Sequence, residues 1–157
     1  MQASCNDERQ PIGPDDKHWH VIRSAVLGGP PEPIWELIGG FYNIHLWHPD
    51  ITETEVPPDQ TRHSALRRIL TFPGQPKTVE QLVSVDNADF HYRYKWHAGQ
   101  WGEEVKNYHA SLRVLAGDLG RTSIVQWEST FDHPSDAISD FYLHGFAALE
   151  KRFPLPA

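Results

Sequence analysis

Residues 90–96 read Phe-His-Tyr-Arg-Tyr-Lys-Trp. Aromatic side chains alternate here with polar and basic ones, which is the period-two pattern of a β-strand with one apolar and one wet face. We expect Phe90, Tyr92, Tyr94 and Trp96 to face inward, because the side chains that alternate with them are polar or basic and can remain in contact with water. The stretch therefore predicts a sheet with one covered face.

Further strand-like runs lie on both sides of this stretch. Turn signals separate them, among them Pro73-Gly74, Asp86-Asn87 and the glycine-bounded segment 117–120. The predicted strands are residues 18–26, 66–72, 78–85, 90–96, 105–115 and 122–131, with residues 51–56 as a weaker candidate.

Two short helices are predicted after the first strand. Pro31 and Pro33 occupy positions where proline fits the first turn of a helix, and Gly39-Gly40 ends that pattern. Residues 41–48 indicate a second short helix, which Pro49 stops.

A long helix is predicted near the C-terminal end. Ser135 is a suitable N-cap, apolar residues recur after it at helical spacing, and Pro154 ends the run. The element order is one strand, two short helices, about six strands and a long helix. We expect residues 17–153 to form a single α+β domain and residues 1–16, which are polar and lack periodicity, to be a flexible leader.

Composition excludes several classes of protein. The 157 residues carry a formal net charge of −7, and no run of lysine or arginine occurs, which argues against nucleic acid and anionic membranes as partners. The single cysteine, Cys5, can form no internal disulfide. No stretch approaches the roughly 20 apolar residues that span a bilayer, so we expect a soluble, cytoplasmic protein. Nucleotide-binding and nucleophile-elbow motifs are also absent.

The element order, together with a set of short motifs, resembles the helix-grip superfamily of START-related, polyketide-cyclase and birch-pollen-allergen domains. The most similar branch is the polyketide cyclase/dehydrase branch. The motifs run in family order across residues 18–152: residues 34–39, 47–49, 65–68, 80–82 with Asp86, 107–112 and 127–131. Gln81 is a departure, since relatives often have arginine there.

The resemblance implies a curved antiparallel sheet of six or seven strands around the long helix, enclosing an apolar cavity. Its members include cyclases, dehydratases, hydrolases, carriers and receptors, so the fold does not fix the reaction. We expect a hydrophobic or polyketide-like small molecule as the ligand, no cofactor, and a monomer or homodimer.

The candidate catalytic residues are Arg67, Glu80, Tyr94 and His48. Arg67 and Glu80 lie on neighbouring predicted strands and would form a charge-assisted pair if both face inward. Arg67 would then polarise a carbonyl while Glu80 moves a proton. The alternative is a structural salt bridge or two outward charges.

Tyr94 and His48 are the other two candidates. A Tyr94 hydroxyl in the cavity wall could orient a carbonyl or act as a weak acid. His48 is either a general base or, with Trp47, a packing contact between helix and sheet.

The candidate substrate-binding residues combine aromatic walls with one small residue. Gly145 is expected to leave volume for a ligand, and Tyr108 is chosen over Asn107 because its strand face is apolar. The set is Trp47, Tyr92, Trp96, Tyr108, Trp127, Phe141 and Gly145. No metal site is expected, because neither His45 with His48 nor His18 with His20 has a third ligand.

The leading hypothesis is a polyketide cyclase that promotes aldol condensation with loss of water, or formation of a lactone or pyrone. The alternative is a non-catalytic carrier or sensor of a hydrophobic metabolite. A module that binds partners through the outer face of the sheet is a third possibility, which the mixed charge of that face disfavours.

Overall fold

The computed structural model describes residues 19–99 and 104–157. In these ranges the chain forms a seven-stranded sheet, two α-helices and a short 3₁₀-helix. Their bounds are β1 Trp19–Gly28, α1 Pro31–Ile38, 3₁₀-helix Ile44–Leu46, β2 Glu53–Glu55, β3 Arg67–Thr71, β4 Thr78–Asp86, β5 His91–Ala98, β6 His109–Ala116, β7 Thr122–Phe131 and α2 Asp136–Arg152.

The sheet is antiparallel throughout, with the strand order β1-β7-β6-β5-β4-β3-β2. The first and last strands pair along their whole length, from Trp19 opposite Phe131 to Gly28 opposite Thr122. Register shifts in β4 bend the sheet between Val79 and Glu80, as bulges do. The curved sheet with a long C-terminal helix confirms the predicted helix-grip architecture.

The C-terminal helix α2 closes the inner face of the sheet. Ser135 caps it as predicted, accepting a hydrogen bond from the Ala137 amide. Its apolar residues are buried at helical spacing. At its other end the Gly28 amide donates to the Phe153 carbonyl at 2.8 Å. A Cβ on Gly28 would lie 1.9 Å from the carbonyl oxygen of Pro154, so only glycine allows this approach of helix end to β1.

The structure corrects two of the predicted elements. The second short helix, predicted over residues 41–48, is only the three-residue 3₁₀-helix. Strand β6 begins at His109 rather than at residue 105, because Lys106 and Asn107 have φ values of 57° and 51°. A strand requires negative φ, so the chain must turn there before pairing can start.

The leader predicted over residues 1–16 lies outside the described residues. In the ranges that the structure does describe, no helix is both long and apolar enough to cross a membrane.

Candidate ligand-binding site

An ion pair between Arg68 and Glu80 is buried on the inner face of the sheet. Nε and Nη2 of Arg68 donate to Oε1 of Glu80 at 2.9 and 2.7 Å, and Nη1 donates to the Phe41 carbonyl at 2.7 Å. The two residues lie opposite one another on β3 and β4. The Arg68 side chain is fully buried, whereas the Glu80 side chain keeps 6% of its surface accessible. Glu80 therefore touches accessible space and Arg68 does not.

Arg67, the predicted partner of Glu80, lies on the other face of β3. Its Nε donates to Oε1 of Gln81 at 3.2 Å, so the predicted Arg67–Glu80 pair is wrong. Successive strand residues point to opposite faces, and only one of two adjacent arginines can face inward. The sequence held a signal for this, since Arg68 shares its face with the buried Leu70, whereas Arg67 shares its face with Thr71.

Aromatic rings surround the Arg68 guanidinium. Its carbon lies 4.2 Å from the ring centre of Phe41 and 5.0 Å from that of Tyr94, with Tyr92 at 5.9 Å. These cation–π contacts and the Glu80 carboxylate offset the cost of burying the charge.

Burial acts on the two ionisable groups in opposite ways. It raises the pKa of Glu80 above its usual value, and the nearby Arg68 charge opposes this. Burial alone would lower the pKa of Arg68, but the charge and hydrogen bonds of Glu80, together with Tyr92 and Tyr94, raise that pKa overall. Arg68 therefore stays charged, and Glu80 is a stronger base than an exposed glutamate.

A chain of buried hydroxyl groups runs beside the ion pair. Trp127 Nε1 donates to the Tyr94 hydroxyl at 2.9 Å, and that hydroxyl lies 3.3 Å from the hydroxyl of Tyr108. Tyr108 is in turn hydrogen-bonded to the Tyr142 hydroxyl. Burial raises the pKa of all three tyrosines, so each keeps its proton at neutral pH. The chain thus presents neutral hydroxyls rather than phenolates.

His48 is buried with both ring nitrogens engaged. Nε2 donates to the Phe141 carbonyl at 2.7 Å, and Nδ1 accepts from the Asp50 amide at 3.1 Å. The ring stacks on Phe141 with 4.0 Å between centres. Burial lowers the pKa of His48 to about 4, which fits a neutral imidazole. Because neither nitrogen is left for a substrate proton, we assign His48 a packing role.

Gly145 brings helix α2 against the segment that contains His48. A Cβ there would lie 2.8 Å from Cδ2 of His48 and 3.1 Å from Cζ3 of Trp47. The expectation that Gly145 leaves room for a ligand is therefore wrong, because the room is occupied by these two rings.

The remaining candidate wall residues all lie in the interior. Trp127 is at the centre, stacked on Tyr142 with 4.3 Å between ring centres and 5.3 Å from Phe141. The buried members are Trp47, Tyr92, Tyr108, Trp127 and Phe141, and Trp96 packs against them partly buried. The interior is consequently aromatic on both the sheet side and the helix side.

The strand neighbours of Glu80 include two residues with a buried polar atom that lacks a partner among the described residues. These atoms are Oγ1 of Thr78 and Nε1 of Trp96. Thr78 lies two residues before Glu80 on the inner face of β4, and Trp96 is opposite Glu80 on β5. The sequence analysis did not select Thr78, although its alternation with Glu80 was a usable signal.

A surface pocket of about 540 Å³ opens where the start of α2 meets the β3–β4 turn. Phe141 belongs both to this pocket and to the aromatic interior. His144 Nδ1 and Asp50 Oδ2 lie 2.7 Å apart at its edge. The lining is completed by Phe72, Gly74, Gln75, Pro76, Glu104, Ala137 and Asp140. Within the described ranges, no cluster of three or more His, Cys, Asp or Glu residues could hold a metal ion.

A curved antiparallel sheet closed by a C-terminal helix over an aromatic interior defines a helix-grip, ligand-binding protein. The family model described as "Polyketide cyclase / dehydrase and lipid transport" matches residues 18–152. The chain therefore belongs to this family.

Solved structures agree with the fold. The protein XoxI from Bacillus cereus is similar with a TM-score of 0.76 and 28% identity, over 85% of this chain and 94% of that one. An uncharacterised protein from Bacillus thuringiensis gives 0.75 and 27%, over 85% and 98%. The major latex-like protein 151 from Panax ginseng gives 0.68 and 18%, over 87% and 98%, and supports the fold alone. No curated protein sequence matches the chain.

Proposed function

We propose that this helix-grip protein binds a linear, apolar or aromatic polyketide-like molecule and promotes its cyclisation, with Glu80 as the acid–base group. The observation that carries the proposal is the state of the Glu80 carboxyl. The carboxyl group lies in the interior, and two Arg68 donors fix its Oε1. The Glu80 side chain nevertheless keeps 6% of its surface accessible. Oε2 has no hydrogen-bond partner among the described residues, and this free oxygen is what a proton-transfer group requires.

The proposed reaction needs one base and a water-poor site. Glu80 removes a proton from a carbon between two carbonyl groups, and the resulting carbanion attacks a more distant carbonyl carbon of the same chain. The new carbon–carbon bond closes the ring, the alkoxide takes the proton back from Glu80, and loss of water then introduces a double bond. The alternative outcome is a lactone or pyrone, formed when an enol oxygen attacks the carbon of a terminal carboxyl or ester group of the chain and water or an alcohol leaves. Holding one conformer of a reactive chain supplies much of the acceleration.

Arg68 and Tyr94 support this chemistry in different ways. Arg68 is fully buried, so it acts as a positioning residue that fixes the carboxyl rather than as a group that touches substrate. The Tyr94 hydroxyl already accepts from Trp127. Its high pKa keeps it protonated, so it would donate a hydrogen bond to a substrate carbonyl rather than act as a base.

The test is native mass spectrometry with linear polyketide mimics, following bound mass and product mass. We expect product that has lost water, or has isomerised at unchanged mass. Glu80→Gln should abolish turnover and retain binding. The matched control is Glu128→Gln, since Glu128 is an exposed carboxylate on the outer face of β7 and should turn over normally. Equal turnover by the two variants would remove Glu80 from the mechanism.

A non-catalytic carrier or sensor is the second candidate. The observation that favours it is the hydroxyl chain from Trp127 to Tyr142, whose members bond to one another. In the same experiment, a carrier would retain every mimic at unchanged mass and without isomerisation. Its affinity would follow aromatic contact area and would not respond to Glu80→Gln.

A further inference from the structure

Three polar groups converge on one part of the inner face of the sheet. Thr78 and Glu80 occupy alternate buried positions of β4, and both therefore point inward. Trp96 of β5 is directly opposite Glu80, and such cross-strand neighbours have Cβ atoms about 5 Å apart. We call Thr78, Glu80 and Trp96 the polar cluster.

Each member of the polar cluster has hydrogen-bonding capacity that the described residues leave unused. Thr78 is 1% exposed, and its Oγ1 has no partner. Nε1 of Trp96 is buried and also has none. On Glu80, both Arg68 donors use Oε1, so Oε2 is left. Native interiors seldom leave buried polar atoms unpaired, and a polar ligand group or a water molecule at this place would supply the missing partners.

The chemistry of the polar cluster restricts that group. An indole N–H only donates, so the atom facing Trp96 must be an acceptor, such as a carbonyl oxygen. An ionised carboxylate only accepts, so the atom facing Oε2 of Glu80 must carry a hydrogen, as a hydroxyl does. The Thr78 hydroxyl can donate a hydrogen bond to the acceptor atom or accept one from the hydroxyl group.

The charge of the polar cluster restricts the ligand further. Arg68 is already paired with Glu80. The polar cluster therefore has no free positive charge that could pair with a second anion. A ligand carboxylate placed there would be buried beside Glu80 and would be repelled. A neutral ligand meets no such cost.

We propose that the polar cluster binds the polar end of a neutral aromatic ligand that carries a hydroxyl group near a carbonyl, and that it discriminates against carboxylates. The carbonyl accepts from Nε1 of Trp96, the hydroxyl donates to Oε2 of Glu80, and Thr78 bonds to either. The rings of Tyr92 and Tyr94, on the same face of β5 as Trp96, contact the aromatic body. This inference rests on the ligand-binding part of the proposed function and not on turnover.

The test is calorimetric titration of the full chain with three probes of similar size: hydroxyacetonaphthone, acetonaphthone and hydroxynaphthoic acid. We expect hydroxyacetonaphthone to bind most tightly and hydroxynaphthoic acid at least about 10-fold more weakly. Thr78→Val and Trp96→Phe should each weaken hydroxyacetonaphthone by about 3- to 10-fold, the usual effect of one lost hydrogen bond. Thr130→Val, on the outer face of β7, is the matched control and should bind normally.

Thermal unfolding without a probe separates binding from folding. Thr78→Val should keep or raise Tm, because it replaces an unpaired buried hydroxyl by a methyl group of similar shape. Three results would overturn the inference: equally tight binding of the naphthoic acid, unchanged affinity in both cluster variants, or a fall in Tm for Thr78→Val, which would reveal a structural partner for the hydroxyl.

The same titrations distinguish the inference from the proposed function. If the cluster variants bind hydroxyacetonaphthone as tightly as the unmodified protein does, the inference is rejected. The protein would still be a ligand-binding protein. Cluster-dependent binding without turnover of any polyketide mimic supports the inference and rejects the cyclase. If none of the three probes binds, the inference is rejected, and the proposed function is then decided by the linear polyketide mimics alone.

Discussion

Gly145 of helix α2 lies directly against the imidazole of His48: a Cβ at position 145 would be 2.8 Å from Cδ2 of that ring. His48 is also held by the Phe141 carbonyl, one turn earlier in the same helix. The contact fixes α2 to the segment between the 3₁₀-helix and β2. The helix that closes the grip is thus held by a glycine and a neutral histidine.

Gly145→Ala should destabilise the protein. Helix propensity alone would favour alanine by about 1 kcal/mol, but overpacking against His48 and Trp47 typically costs about 1–3 kcal/mol. We expect a net loss in the free energy of unfolding by urea titration. Ala147→Gly, at an exposed position of the same helix, calibrates the propensity effect. A more stable Gly145→Ala variant would mean that the rings move aside easily.

The free energy of unfolding should fall on acidification, because the buried His48 must become protonated. Its pKa is about 4 in the folded protein against 6.5 for an ordinary histidine. Because the pKa of His48 is lower in the folded protein than in the unfolded chain, the folded state keeps its full stability above pH 6.5. This stability is lost as the pH falls from 6.5 towards 4. The loss is on the order of 3 kcal/mol. The measurement is urea unfolding at a series of pH values.

His48→Gln separates this effect from other titrations. A glutamine amide can still donate to the Phe141 carbonyl but does not titrate, so the decline between pH 6.5 and 4 should be shallower. Glu80 acts in the opposite direction, because its raised pKa favours the folded state at low pH. A decline equally steep in the variant would assign the acid sensitivity to another group.

Removing one member of the Arg68–Glu80 pair should cost far more than removing both. Arg68→Met alone leaves a buried carboxylate unpaired and should cost about 3–5 kcal/mol. The double variant Arg68→Met with Glu80→Leu should recover most of that loss while abolishing any turnover. Urea unfolding of both variants gives the comparison. If the double variant is no more stable than Arg68→Met alone, the unpaired Glu80 carboxylate is not the cause of the loss.

Tyr94→Phe should be more costly than an ordinary tyrosine truncation. It leaves Nε1 of Trp127 buried without its acceptor, a loss of about 1–3 kcal/mol. Tyr42→Phe is the matched control, since the Tyr42 hydroxyl is buried without a partner among the described residues and its removal should cost little. Similar losses for the two variants would show that Trp127 finds another acceptor.

Local patterns predicted much of this fold correctly. Strand β7 occupies the predicted residues, and Ser135 caps α2. These features depend on periodicity and on cap chemistry, both of which act over a few residues. The resemblance to the helix-grip superfamily supplied the closure of the sheet around α2, which no local pattern contains.

Predictions from local sequence patterns were wrong where the structure depends on unusual backbone angles or on contacts between residues distant in sequence. The start of β6 depends on positive φ angles at Lys106 and Asn107, which lysine rarely adopts, although asparagine does so more often than most residues. The small residue Gly145 suggested free space, whereas the tertiary structure fills that space with His48.

The amino-acid sequence by itself determined the order of the elements and the inward aromatic row of β5, and it left open whether Glu80 faces inward. Only the tertiary structure decided that Arg68, and not Arg67, is its partner. The reason is the two-residue period of a strand: adjacent arginines differ only in face, and the face is fixed by pairing with β4 and by burial against Phe41. The pairing of β4 with β5 places Trp96 opposite Glu80, so the polar end of the candidate site is also a product of strand register.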